Sequence, residues 1–187
     1  LSTALTLLQD LTGLPPVEHR SLHLLDIPKR LSREEFDALP VSPEALNNRL
    51  KIERLEAALN ELPDHLSPED DPFETWHDIT GKVYNRTLHL PPGTLIVGKR
   101  HAIEHVFMLL FGEATIMTER GVEHFVAPFT FISPAGEKRV ILTELGCTMV
   151  TCHATTKTTL EDIELDVIMS DAPLLEGAEH GMVCNGD

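Results

Sequence analysis

The chain has 187 residues, 42% of them hydrophobic and 24% charged, which suits a globular protein with enough apolar content for one core plus extensions. Thirty Asp and Glu against fifteen Lys and Arg give a net charge of -15, so nothing offsets phosphate repulsion and nucleic acid is not an expected partner. The longest apolar run, Val106 to Phe111, is too short to cross a membrane, and Leu1 to Leu14 lack a secretory-signal pattern, so no membrane is expected either. Three cysteines, Cys147, Cys152 and Cys184, form no CxxC pair and are expected as reduced thiols.

In chain order, Leu5, Leu8 and Leu11 at helical spacing predict a short helix stopped by Gly13 and Pro15. Ser32 with Glu35 has capping-box spacing and predicts a second helix that ends by Pro40. Ser42 and Pro43 open the strongest helical segment, whose apolar face runs through Leu46, Leu50, Leu55, Ala58, Leu59 and Leu62 before Pro63. Pro63 to Asp71 is rich in Pro, Ser and acids and predicts a loop or linker.

Both charge and period then change. Residues 1–81 hold seven Lys and Arg against sixteen Asp and Glu, residues 82–157 eight against six, and residues 158–187 none against eight. From Tyr84 to His153 about eight short β-favouring runs alternate with turn signals, among them Pro91-Pro92-Gly93, Gly112 and Pro134-Ala135-Gly136. Val106–Phe111 and Ala114–Glu119 are predicted as separate strands across Gly112. With no helix between them, such strands predict an antiparallel barrel or sandwich. The organisation expected is a helical and irregular arm with linker over 1–82, a β-barrel over 83–157 and an acidic extension over 158–187, in which Leu160 to Met169 adds a strand.

The spacing around the histidines carries a resemblance. From Gly93, five residues lead to Lys99, then come His101 and His105, and six further residues precede Gly112. Pro134-Ala135-Gly136 is followed two residues later by Arg139. This framework resembles the two motifs of the cupin superfamily, over about Val83 to His153, and implies a mainly β chain with a cupin-type jelly-roll barrel. The resemblance places Lys99, His101, His105 and Arg139 at the family's four metal-ligand positions, where only His101 is the residue type expected.

Lys99 and Arg139 are cations that repel a divalent ion. His101 and His105, placed by period-two spacing on one side of a strand, are the remaining candidate metal ligands. A third donor would have to come from Glu104 or His124, although Glu104 is expected to face outward. His124 and His153 read first as hydrogen-bonded structural histidines. Lys99, His101, His105 and Arg139 together also make a candidate pocket for a small anion or sugar.

A narrower resemblance rests on His101-Ala102-Ile103-Glu104-His105, on Gly136-Glu137-Lys138-Arg139, and on Cys152-His153-Ala154-Thr155 before Leu160-Glu161-Asp162-Ile163-Glu164. These runs are similar to cupin-like proteins of tailed bacteriophages. That likeness implies a non-enzymatic structural or accessory protein of the virion, partnered by other virion proteins and by copies of itself. No catalytic residue and no cofactor are expected on this reading. The alternatives are a metal-dependent cupin enzyme (dioxygenase, isomerase or lyase), which would need a divalent metal, and an anion- or sugar-binding module.

Overall fold

The structure, a computed structural model, describes residues 29–63, 66 and 73–169. The helix expected around Leu5 to Leu11, the tail beyond Met169 and Cys184 lie outside these residues.

Two antiparallel sheets curl toward each other around a single apolar interior, as the mainly β expectation requires. The first contains β1 (Glu74–Thr80), β2 (Val83–Leu90), β8 (Cys147–Ala154), the first half of β4 (His105–Thr118) and β6 (Phe129–Ser133), in that order. The second contains β3 (Thr94–Val97), β7 (Val140–Thr143), the second half of β4 and β5 (Gly121–Val126). Strand alternation sends Leu88, Phe107, Leu109 and Met149 of the first sheet and Ile116 and Ile141 of the second into one core.

β4 belongs to both sheets. The two strands expected on either side of Gly112 are one strand, bent by a register shift between Leu109 and Phe111. Gly112 has φ +78°, and a Cβ there would lie 2.0 Å from the Gly146 carbonyl oxygen, so only glycine lets the strand pass from one sheet to the other. β1 was not expected as a strand and precedes the predicted barrel start at residue 83. It pairs with β2 along its whole length.

The described part of the arm, residues 29–63, packs on its own barrel. α1 (Arg33–Asp37) starts at the expected capping box, with Ser32 Oγ accepting from the Glu35 amide and Glu35 Oε2 accepting from the Ser32 amide at 2.7 Å. α2 (Pro43–Asn60) lays Ile52 and Leu55 over Met117 and Val140, covering the outward face of the second sheet. Charged groups fasten this contact. Glu119 of the β4–β5 turn accepts from Arg49 Nε and Nη2 at 2.9 and 2.8 Å and from Arg100 Nη1 at 3.1 Å. The Arg49 and Arg100 guanidiniums both lie against the buried Phe36 ring, at 4.1 and 4.4 Å from its centroid.

Residues Leu160–Val167, expected as a strand, form α3. Thr159 caps it by accepting from the Asp162 amide, and Ile163 and Val167, one helical turn apart, bury against Tyr84. The partial alternation of Leu160 to Met169 suggested a strand, but Leu165 is 77% exposed and takes no part in the packing.

Candidate functional site

Four chain segments meet at one end of the barrel interior. After β3 the backbone leaves the sheet and is held irregularly, by the Gly98 amide on the Arg139 carbonyl and by the Gly136 amide on the His101 carbonyl at 2.7 Å. His101 therefore sits on a link, bridged to Ile168, and not on a strand as its spacing from His105 suggested. His105 opens β4, His153 lies near the end of β8, and Arg139 immediately precedes β7.

These side chains converge. The rings of His101 and His105 stack with centroids 4.3 Å apart, His105 and His153 at 4.4 Å, and His101 and His153 at 4.9 Å. One nitrogen from each ring falls within a set whose members are all within 4.8 Å of one another. No carboxylate or thiolate joins that set among the described residues.

The hydrogen bonds fix much of the protonation. Arg139 Nη2 lies 2.7 Å from His105 Nε2, and because arginine only donates, Nε2 accepts. His105 Nδ1 then carries the proton and donates to the Ile103 carbonyl at 3.1 Å. His101 Nδ1 and His153 Nε2 share a hydrogen bond of 2.7 Å, while His153 Nδ1 is buried without a partner.

All three imidazoles are held neutral. Burial, reinforced by the Arg139 cation and His153, pushes His105 down to about 2. Burial with Arg139 and Arg86 lowers His153 to about 4, and His101 falls well below the ordinary histidine value, first through burial and then through the adjoining His105 and Arg139. Arg139 is itself 5% exposed, and burial lowers its pKa while Glu137 opposes that shift. Its guanidinium also stands 4.8 Å from the Phe107 ring centroid, and its Nη1 has no partner.

The remaining expected residues are elsewhere. Lys99 is exposed, and its neighbour Arg100 is the buried cation, tied to Glu119 and to the Gly136 carbonyl at 2.6 Å. The four-residue cup of the sequence reading thus loses Lys99 and gains His153. Glu104 faces outward to Lys29 at 3.1 Å, as expected. His124 hydrogen-bonds Thr115 on the β4–β5 hairpin, beside a small hollow that also holds Glu113 and Glu144. Neither Glu104 nor His124 supplies the third donor. His153 does, and its signal was its place in a β-favouring run whose partner strand could not be read locally.

The donors are of the right type for a transition metal, being neutral imidazoles, and His105 has the carbonyl partner that orients a ligating ring. The arrangement as it stands does not fit one. The His105 lone pair is engaged by a guanidinium, His101 and His153 are hydrogen-bonded to each other, and the nearby fixed charges include the cations Arg139 and Arg86.

No family model and no curated protein matches this chain. Solved structures similar to it include a cupin 2 conserved barrel domain protein from Salinispora arenicola, at 12% identity over 44% of this chain and 76% of that one, with a TM-score of 0.38. A cupin superfamily protein from Desulfitobacterium hafniense matches at 14% identity over 46% and 79%, with a TM-score of 0.40. The cupin domain of Cnp3 from Schizosaccharomyces pombe matches at 19% identity over 51% and 66%, with a TM-score of 0.37.

Proposed function

We propose that this chain is a non-enzymatic, cupin-type assembly module, a structural or accessory component of a tailed-phage virion. The phage assignment rests on the sequence runs around His101 to His105, Gly136 to Arg139 and Cys152 to Thr155. The observation that carries the non-enzymatic part is Arg139 donating to His105 Nε2. In that position the guanidinium closes the cup with a group of the chain itself. With three imidazole rings in mutual contact, the former mouth is a polar extension of the core. The barrel then serves as a rigid body, and α2, fastened to it by Glu119, enlarges that body.

A second reading, a divalent-metal centre, is favoured by the three nitrogen donors within 4.8 Å. It requires Arg139 to leave His105, after which His101, His105 and His153 would be the ligands. Such a metal would supply Lewis-acid or redox chemistry.

Elemental analysis of untagged protein, before and after incubation with excess zinc, nickel, manganese and iron, separates the two. The assembly reading expects negligible metal per chain in both samples. Metal near one per chain, lost in His153→Gln, overturns it in favour of the metal centre. Mass spectrometry of purified particles tests the remainder, with the chain expected among the structural proteins. Its absence from particles overturns the virion assignment.

A further inference from the structure

Arg139 is a buried cation without a counter-charge of its own among the described residues. The ion pairs there engage Arg30, Arg33, Arg49, Arg100 and Arg120, but neither Arg139 nor Arg86. Glu137, the acid that bears on Arg139, has both oxygens committed, Oε1 to Arg120 and Oε2 to the Ser133 hydroxyl at 2.8 Å. Arg139 spends Nη2 on the His105 ring, which accepts a hydrogen bond but brings no negative charge. Buried charges are ordinarily paired, so this one calls for an anion.

The strand register brings a second unpaired cation to the same place. On β2, Tyr84, Leu88 and Leu90 are buried inward residues, so Arg86, at the same alternation, faces the interior with them. Arg86 pairs with Thr151 of β8, and Thr151 pairs in turn with Phe107 of β4. The Arg139 guanidinium stands over the Phe107 ring. The two arginines therefore come from opposite sides of Thr151, two strand spacings or about 10 Å apart at the backbone, a gap that two long side chains close. His153 lies two residues further along β8, and both cations bear on its ring.

Each of the three residues also holds a nitrogen in reserve. Arg139 Nη1, Arg86 Nε and His153 Nδ1 are all buried without a hydrogen-bond partner. With His101 Nδ1 donating to His153 Nε2, the His153 proton lies on Nδ1, and all three atoms are donors. Three N–H donors, two of them cationic, complement an oxyanion and are the reverse of what a metal ion needs. Water would satisfy the hydrogen bonds but not the charge. Arg86 and Thr151 are half-buried, and Arg86 bonds to no other described side chain, so its guanidinium can turn to admit an ion.

We infer that Arg139, Arg86 and His153 form a binding site for a small oxyanion, a phosphate or carboxylate group, over Thr151 beside the closed cup. The site goes beyond the assembly reading and does not depend on it. It is read on the isolated chain, so its failure leaves the particle and metal measurements as they stand.

The test is isothermal titration calorimetry with thermal melting of the full chain, inorganic phosphate or acetate replacing chloride at constant ionic strength. The wild type is expected to bind one oxyanion per chain, with a melting temperature that rises as the site fills. Arg86→Gln, at a half-buried residue that holds no other side chain, should fold and weaken binding at least about tenfold, as the loss of a charge-assisted hydrogen bond does. Lys99→Gln removes the same charge from an exposed position beyond β3 and should leave binding unchanged. Absence of saturable binding of both ions up to tens of millimolar overturns the inference. So does binding that survives Arg86→Gln at full strength, or an equal loss in Lys99→Gln, which would mark an effect of net charge and not of a site.

Discussion

Lowering the pH from 7.5 to 5.5 should weaken the fold through His101, His105 and His153. All three have folded-state pKa values below the usual histidine value, with His105 at about 2 and His153 at about 4. In the unfolded chain each titrates near 6.5, so it takes up a proton across this interval while its folded counterpart does not. The unfolded state therefore binds more protons, and stability must fall as pH falls. For a histidine that stays neutral when folded, the loss over these two pH units is about 1.4 kcal/mol, or about 4 kcal/mol for three.

That is a large share of the roughly 5–15 kcal/mol that holds a typical domain together. The full contribution is present above the unfolded pKa and is lost progressively down to the folded values. Urea unfolding followed by far-UV circular dichroism, in chelator at both pH values, measures it. His153→Gln should reduce the dependence by about a third. A change of less than about 1 kcal/mol in the wild type would mean that the cup admits protons or water, and would refute the closed arrangement.

Further outcomes follow from the same contacts. Glu119→Ala leaves Arg49 and Arg100, 6% and 2% exposed, without their shared carboxylate, and should cost about 3–5 kcal/mol in urea unfolding. The exposed pair Arg33–Asp37 is the control, because Asp37→Ala should cost less than about 1 kcal/mol. Gly112→Ala combines φ +78° with a 2.0 Å approach to the Gly146 carbonyl, so a loss of more than about 2 kcal/mol or failure to fold is expected in a thermal melt. A normal melt would show that the β4 bend relaxes easily.

Local signals were readable where one element determined them. The capping box at Ser32, Pro43 at the start of α2 and most strands of the barrel needed no distant contact to be recognised. Gly112 misled because a glycine marks a turn and a strand bend equally well, and only the second sheet distinguishes them. β1 escaped notice because Glu74, His77 and Asp78 interrupt any apolar alternation on an edge strand. In α3 the apolar residues fit both periods, and the Thr159 cap was the deciding signal.

At the site, His101, His105 and Arg139 were legible as a group through motif spacing. Lys99 was misplaced because the chain leaves β3 after Val97, which shifts the buried cation to Arg100. His153 depended on the pairing of β8 with β4, a long-range contact that spacing within one strand does not encode.

β4 is hydrogen-bonded to β5, β6, β7 and β8, and so serves as the common rail of both sheets. Neither sheet can open without stripping part of it, and partial unfolding of one half removes partners from the other. The barrel must therefore come apart as one cooperative unit, with the amides at the centre of β4 exchanging with solvent only through global opening. For a body built into a larger assembly, such all-or-none behaviour means that a pull on one sheet is shared by both, and the load has no weak seam at which to divide them.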